Sequence, residues 1–356
     1  QILASDAVAT LTTCFRGAIR MNSIATASLC AILLASLVGC TDRGETSDKP
    51  SRQPRAAAPL LTEDDARHRS SRISDISYEL DFRLGTEEPD FSGEVRMEFE
   101  LSDTSGELTI DFIGGSVHSV AVNGQSAEPD YNGFFLTVQA DALVQGANQV
   151  EIAFSHPYST DGRGLYRFED PVDGRFYLYT DFQPYDANHL FPCFDQPDLK
   201  ASFTTAATVP ADWTVVSSTS ESAVDDLGET RRWHFPESAP ISTYIYALHA
   251  GDYVSWESAA GDVPLRLFSR ASLAEYVRPE DWFVPTQQGF EFFENYFEIP
   301  YPFGKYDQII VPHFNAGAME NLAAVTFSER FLQRGMVSRQ ARRSLASVIH
   351  HGSGIS

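Results

Sequence analysis

Apolar and polar residues alternate along much of the first two thirds of the chain. Ile76, Tyr78, Leu80, Phe82 and Leu84 are each separated by one residue, as are Val95, Met97, Phe99 and Leu101, then Leu108, Ile110 and Phe112, and later Val150, Ile152 and Phe154. A period of two puts one set of side chains on one face, so these runs predict strands buried on one side. Asn123-Gly124 and Asn132-Gly133 supply hairpin-turn chemistry between later strands. Residues 73–256 are therefore expected to form an all-β domain, a large curved sandwich. After Arg270 the spacing lengthens: Phe283, Phe290, Phe293 and Phe297 fall near helical spacing, with Pro285 accommodated in a first turn and the rings expected in a core. Ile309-Ile310-Val311 reads as a buried strand and Val325-Thr326-Phe327 as extended chain. Ser338 reads as the N-cap of a last helix with Ala341, Leu345, Val348 and Ile349 as its buried stripe. The fold class is mostly β followed by α/β. Residues 257–356 read as the second part of the chain.

The first 72 residues show neither period. The stretch Ile24–Val38 is apolar and small, too short to span a membrane and of the right length for a signal-peptide core. It ends in Leu37-Val38-Gly39-Cys40, which resembles a bacterial lipobox, in which the cysteine is lipidated and becomes the first mature residue. This predicts a signal peptide over 21–39, an untranslated or artefactual segment over 1–20, and a chain lipid-anchored at Cys40 in the bacterial cell envelope, on the outer membrane or periplasmic face. Met21–Gly39 contains no Lys or Arg, so the positive n-region would have to come from Arg16 and Arg20; ordinary cleavage without lipid is the alternative. Residues 40–72, rich in Ser, Asp, Arg, Pro and Ala, read as a flexible linker. Of the four cysteines, Cys14 and Cys30 fall before Cys40 and only Cys193 remains in the folded part. That excludes an internal disulfide and leaves Cys193 as a small buried hydrophobe. The formal net charge of -23 argues against nucleic acid and against attraction to anionic lipid surfaces, and weakly favours peptides with a positive amino end.

The chemistry concentrates in Gly317-Ala318-Met319-Glu320-Asn321. One carboxylate, Glu320, follows two small residues that let a ligand backbone approach, between two extended segments. A peptide could add to that edge by main-chain hydrogen bonds, with Glu320 pairing with its free α-ammonium. The motif resembles the exopeptidase motif of the aminopeptidase N family, zinc enzymes of the gluzincin class. Tyr301-Pro302-Phe303-Gly304-Lys305-Tyr306-Asp307 and Phe191-Pro192-Cys193-Phe194-Asp195-Gln196-Pro197-Asp198-Leu199-Lys200 are similar to stretches of that family in the same order, so that the resemblance covers roughly residues 72 to 351.

The resemblance implies a thermolysin-like catalytic domain beginning in 257–356, a Zn2+ cofactor and release of N-terminal amino acids from peptides. The family's H-E-x-x-H puts two histidines on one helix face with a glutamate as general base. Val348-Ile349-His350-His351 resembles its lead-in, with His351 in the first ligand's place, but Gly352 stands where the base should be and Ile355 where the second histidine should be. The expected explanation is a reading-frame or contig-end error; the alternative is a pseudoenzyme serving as a non-catalytic cell-surface peptide-binding or assembly module. Thr180-Asp181-Phe182-Gln183-Pro184-Tyr185-Asp186-Ala187-Asn188 is similar to the segment that sends a second polar group to the substrate's amino end. Asp181 stands where the family usually has Gln and would form a two-acid clamp with Glu320, or else be a solvated turn acid. Asn188 stands where the family often has Arg, which would alter a structural ion pair. Gly317, Ala318 and Met319 would complete the site. His189, His234, His249 and His313 lack metal spacing and read as structural. An epoxide-hydrolase relative is disfavoured by Ala318.

Overall fold

The structure, a computed structural model, describes residues 53–355. The segments expected at 1–20 and 21–39, the lipidation site Cys40 and the start of the linker lie outside the described residues. From Ile73 the alternation holds: Ile76, Tyr78, Leu80, Phe82 and Leu84 are all buried, with polar residues between them. Strand Ile73–Arg83 pairs antiparallel with Asp90–Leu101 and parallel with Ala201–Pro210, at the centre of an eight-stranded sheet. Each buried Leu, Val or Phe on its inner face contributes about 1.5–3 kcal/mol by leaving water. The hairpin at Asn123-Gly124 has both residues at positive φ, 51° and 75°, which matches the strand twist.

A four-stranded sheet covers that inner face: Gly164–Glu169, Phe176–Asp181, Thr214–Ser217 and Leu248–Gly251. This sheet is a middle layer. Leu178, Val215, Leu248 and Ala250 point into the sandwich core, while Tyr177, Tyr179, Val216 and Ala247 point the other way, into a second core. Its strands are therefore apolar on both faces. Beyond it lies a five-stranded sheet in the order Tyr253–Ala260, Val263–Arg270, Tyr306–Val311, Ala324–Ser328 and Ala318–Met319, parallel in its middle and closed at one edge by the two-residue strand. Because Tyr253–Ala260 already belongs to this sheet, the change of domain falls at Gly251-Asp252 rather than after 256. A Cβ on Gly251 would sit 2.6 Å from the Phe176 carbonyl oxygen, so the chain crosses over at a residue without one.

Three helices complete the fold. Helix α1 (Glu63–Ser70) lies inside the expected linker and corrects it. Arg69 donates to Asp111 at 2.6 Å, Arg55 pairs with the same carboxylate, and Arg72 donates to the carbonyls of Asp103, Gly106 and Glu107. All three arginines are buried. The composition suggested a tether because the segment is held by guanidinium groups rather than by apolar side chains. Helix α2 (Pro279–Phe297) starts at Pro279, so Pro285 is inside it and not in its first turn; the Pro285 carbonyl accepts from His350 Nε2 at 3.0 Å. Phe283 and Phe290 are core, but Phe297 is 53 % exposed and Phe292 and Tyr296 stack beside it in solvent. Helix α3 (Arg339–Ile355) is capped by the Ser338 hydroxyl accepting from Ala341 N, and buries Leu345 and Ile349 against the five-stranded sheet.

Candidate functional site

The motif 317–321 forms the open edge of the five-stranded sheet. Ala318 and Met319 pair with Phe327 and Thr326 on one side only, so the other side of the strand offers free main-chain groups. Successive side chains part across the strand: Ala318 packs toward the helices and Met319, buried, toward Tyr177 and Tyr179. Met319 can therefore serve a ligand only through its backbone. A Cβ on Gly317 would lie 2.6 Å from Arg330 Nη2, the far end of a flexible side chain. Glu320 follows at the strand's end, half-buried, and its carboxylate has no hydrogen-bond or ion-pair partner among the described residues. It is positioned from behind: Leu322 N donates to Ile245 O at 3.0 Å, and Asn321 Nδ2 to Thr326 Oγ1 at 3.0 Å.

Asp181 ends the strand Phe176–Asp181, on the same face as Tyr177 and Tyr179, which is the face packed against Met319. The middle sheet thus aims it toward the motif's layer. Its carboxyl is pushed up to about 6, first by burial and then by Asp186, against a lowering hydrogen bond from the Gln183 backbone N–H. Glu320 is not among the charges that shift it. The exposed Gln183 amide lies in the turn that follows Asp181. Nearby, the buried Tyr179 hydroxyl has no hydrogen-bond partner among the described residues, and burial, with Tyr166, Asp181 and Glu329, holds it protonated. Its aromatic neighbours in sequence gave no sign that one hydroxyl would stay unpaired.

Asn188 replaces the expected ion pair by hydrogen bonds: its backbone N–H and Nδ2 both donate to Asp195 Oδ2, at 3.0 and 2.8 Å, while Thr243 donates to Oδ1 at 2.7 Å. Burial and the nearby Asp111 push Asp195 up to about 6 even so. The scattered histidines each have a local partner. His313 meets the Tyr166 hydroxyl, His234 meets Asp225, His189 lies beside Asp186, and His249 meets Thr326.

His351 lies exposed near the end of α3, the helix that passes beside Ala318–Met319. Gly352 faces the opposite way, into the core, where a Cβ would be 3.3 Å from Val325 Cγ1 and 3.6 Å from the Tyr306 hydroxyl. No group of three or more His, Cys, Asp or Glu side chains among the described residues could hold a metal ion. A zinc site needs three or four such ligands, so the residues described here do not fit one. No described helix is long and apolar enough to cross a membrane.

Comparison with known proteins agrees with the two-part architecture. Residues 74–245 match the Peptidase M1 N-terminal domain and residues 283–353 the Peptidase family M1 domain. Aminopeptidase N of Streptomyces lividans is 37% identical over 297 residues, covering 82% of this chain and 34% of that protein. The probable aminopeptidase 1 of Sulfurisphaera tokodaii is 29% identical over 266 residues, 74% of this chain and 33% of its own length. Glutamyl aminopeptidase of Homo sapiens is 34% identical over 205 residues, 53% of this chain and 20% of its own. The chain thus spans about a third or less of the length of these relatives. With a mostly β domain followed by the start of an α/β domain, matched in that order, the chain belongs to the M1 peptidase family.

Proposed function

We propose that this chain supplies the sandwich and the amino-end subsite of an aminopeptidase that releases N-terminal residues from peptides. The observation that carries this is Glu320: a half-buried carboxylate without a partner among the described residues, at the end of a strand that is an edge among them. A peptide laid along Ala318–Met319 would hydrogen-bond its main chain to the edge and bring its α-ammonium to Glu320. Only a free amino end satisfies both demands, which makes the site a ruler counting from the N-terminus. Asp181 adds negative potential from the adjoining layer above about pH 6. The family's zinc chemistry has no ligand set among the described residues, so the role assigned to this chain is recognition and no bond-breaking step is derived for it.

The test is binding of a short peptide amide with a free amino end and of its N-acetylated form. Glu320→Gln keeps size and removes charge, and a charge-assisted hydrogen bond is worth about 1.5–3 kcal/mol, so the variant is expected to lose about tenfold or more of the preference for the free form. Equal binding of both peptides by the unaltered chain would sink the proposal.

Gly352 favours a second reading, a non-catalytic peptide-binding or assembly module at the cell surface, because it turns into the core where the family's general base is expected. Hydrolysis of an aminoacyl substrate by the zinc-supplemented chain would exclude that reading. We also propose anchoring in the bacterial envelope through a lipid on Cys40, supported by Leu37-Val38-Gly39-Cys40. Cys40→Ser should move the protein from the detergent to the aqueous phase on phase separation, and no movement would count against the anchor.

A further inference from the structure

At the seam between the middle sheet and the five-stranded sheet, three polar side chains from separate elements form one hydrogen-bonded chain. Asn321 Nδ2 donates to Thr326 Oγ1 at 3.0 Å, and His249 Nε2 lies 2.9 Å from the same oxygen. They are 2 %, 0 % and 0 % exposed for Asn321, Thr326 and His249. An amide nitrogen only donates, so Thr326 Oγ1 accepts from Asn321; the hydroxyl keeps a second lone pair and its own proton for the contact with His249, and which of the two donates there follows the imidazole tautomer. Burial, the largest influence, favours the neutral imidazole, whose Nδ1 has no hydrogen-bond partner among the described residues.

Hydrogen bonds between buried polar groups are costly to break among apolar neighbours, which makes such a chain specific in its placement. Its far end is Asn321, the residue after Glu320. With Leu322 N bound to Ile245 O, both residues following the carboxylate are tied to the sandwich, while the Glu320 carboxylate has no partner among the described residues. The place of the carboxylate is therefore decided behind it.

We propose that His249 is a positioning residue: acting through Thr326 it holds Asn321, and so sets where the Glu320 carboxylate meets a peptide's ammonium. This rests on the reading of Glu320 given above. It assigns work to a histidine of the sandwich whose spacing suggested only a structural role, and it makes the sandwich part of the site's geometry.

The test uses the full chain and the variants His249→Leu, His249→Gln, Thr326→Val and Thr326→Ser. Gln can return either a donor or an acceptor to the Nε2 position and Ser keeps the hydroxyl; Leu and Val keep the bulk and remove the bonds. Two quantities are measured: the ratio of affinities for Ala-Ala-Ala amide and its N-acetyl form, and amide hydrogen exchange over residues 317–323. The Leu and Val variants are expected to lose about tenfold of the preference for the free amino end, the scale of one net hydrogen bond, and to exchange faster in 317–323. The Gln and Ser variants should keep both. Unchanged preference and exchange in folded Leu and Val variants overturns the inference, as does an equal loss in the Gln and Ser variants. Global unfolding of both apolar variants also overturns it, because the chain would then support the whole fold. If the unaltered protein shows no preference, the reading of Glu320 has failed instead, and the exchange measurement alone decides whether His249 holds the loop.

Discussion

Glu320 and Asp181 carry the same functional group in different surroundings, and the surroundings assign them different work. Glu320 is unpartnered and free to receive a cation. Asp181 is pushed up to about 6 by burial, so the folded state prefers its protonated form more than the unfolded chain does, where its value is near 3.8. The stability associated with that preference is complete below about pH 4 and lost as pH rises through 6. Asp181→Asn should therefore stabilise the protein against denaturant above pH 6 and leave it unchanged near pH 4. The same variant should weaken binding of a free-amino-end peptide at pH 7.5 and not at pH 5; a uniform loss at both would mean that Asp181 acts through its shape. The motif and the two acids were visible as letters, whereas the freedom of one and the engagement of the other depend on Gln183, Asp186 and Ile245, which no local pattern links to them.

Among the elements, α1 departs furthest from expectation. Asp111, though fully buried, is held below the usual carboxylate range because Arg69 and Arg55 outweigh the cost of burial. Its contribution to stability is present above the unfolded value of about 3.8 and is lost as pH falls below it. Breaking such a pair leaves a buried charge short of a partner, so Arg69→Met should cost about 3–5 kcal/mol, read from denaturant midpoints at pH 7. A cost below 1 kcal/mol would mean that the segment is the loose tether its composition suggested. Helix α2 shows the opposite failure of pattern. Its rings at 283 and 290 pack as helical spacing predicts, but the same spacing leaves Phe297 half exposed, against the rings of Phe293 and Tyr296 and outside the core.

On the scale of the whole molecule, the sandwich is closed and the second domain is open along one side of α2. Phe292, Tyr296, Phe297 and Ile299 are 53–70 % exposed and adjacent, a patch of the kind that drives association. Changing Phe292, Tyr296 and Phe297 to Ser should lower self-association in sedimentation velocity without shifting the thermal midpoint, and an unchanged sedimentation coefficient would show the patch to be inert. The metal makes a separate prediction. A ligand that binds only the folded state raises the melting temperature in proportion to its affinity. Because no metal-binding cluster exists among the described residues, a slight excess of zinc should leave the midpoint unmoved, and a clear rise abolished by His351→Ala would show a site that His351 forms with ligands outside them.

Sequence alone determined the strands, because a period of two reports a half-buried sheet whatever lies opposite, and it determined the family, because three motifs in order leave little room for coincidence. It also located Glu320 and the helix of His351. Only the tertiary structure decided what those groups can do. It turned Tyr177 and Tyr179 away from the sandwich core and into a second one, buried Arg55 and Arg69 against Asp111, filled the space beside Gly317 with Arg330, and brought His249 to Thr326 across 77 residues of chain. The reason is physical: periodicity records which face of an element is apolar, whereas a polar group's role depends on partners distant in sequence, which only the packed fold brings within hydrogen-bonding distance.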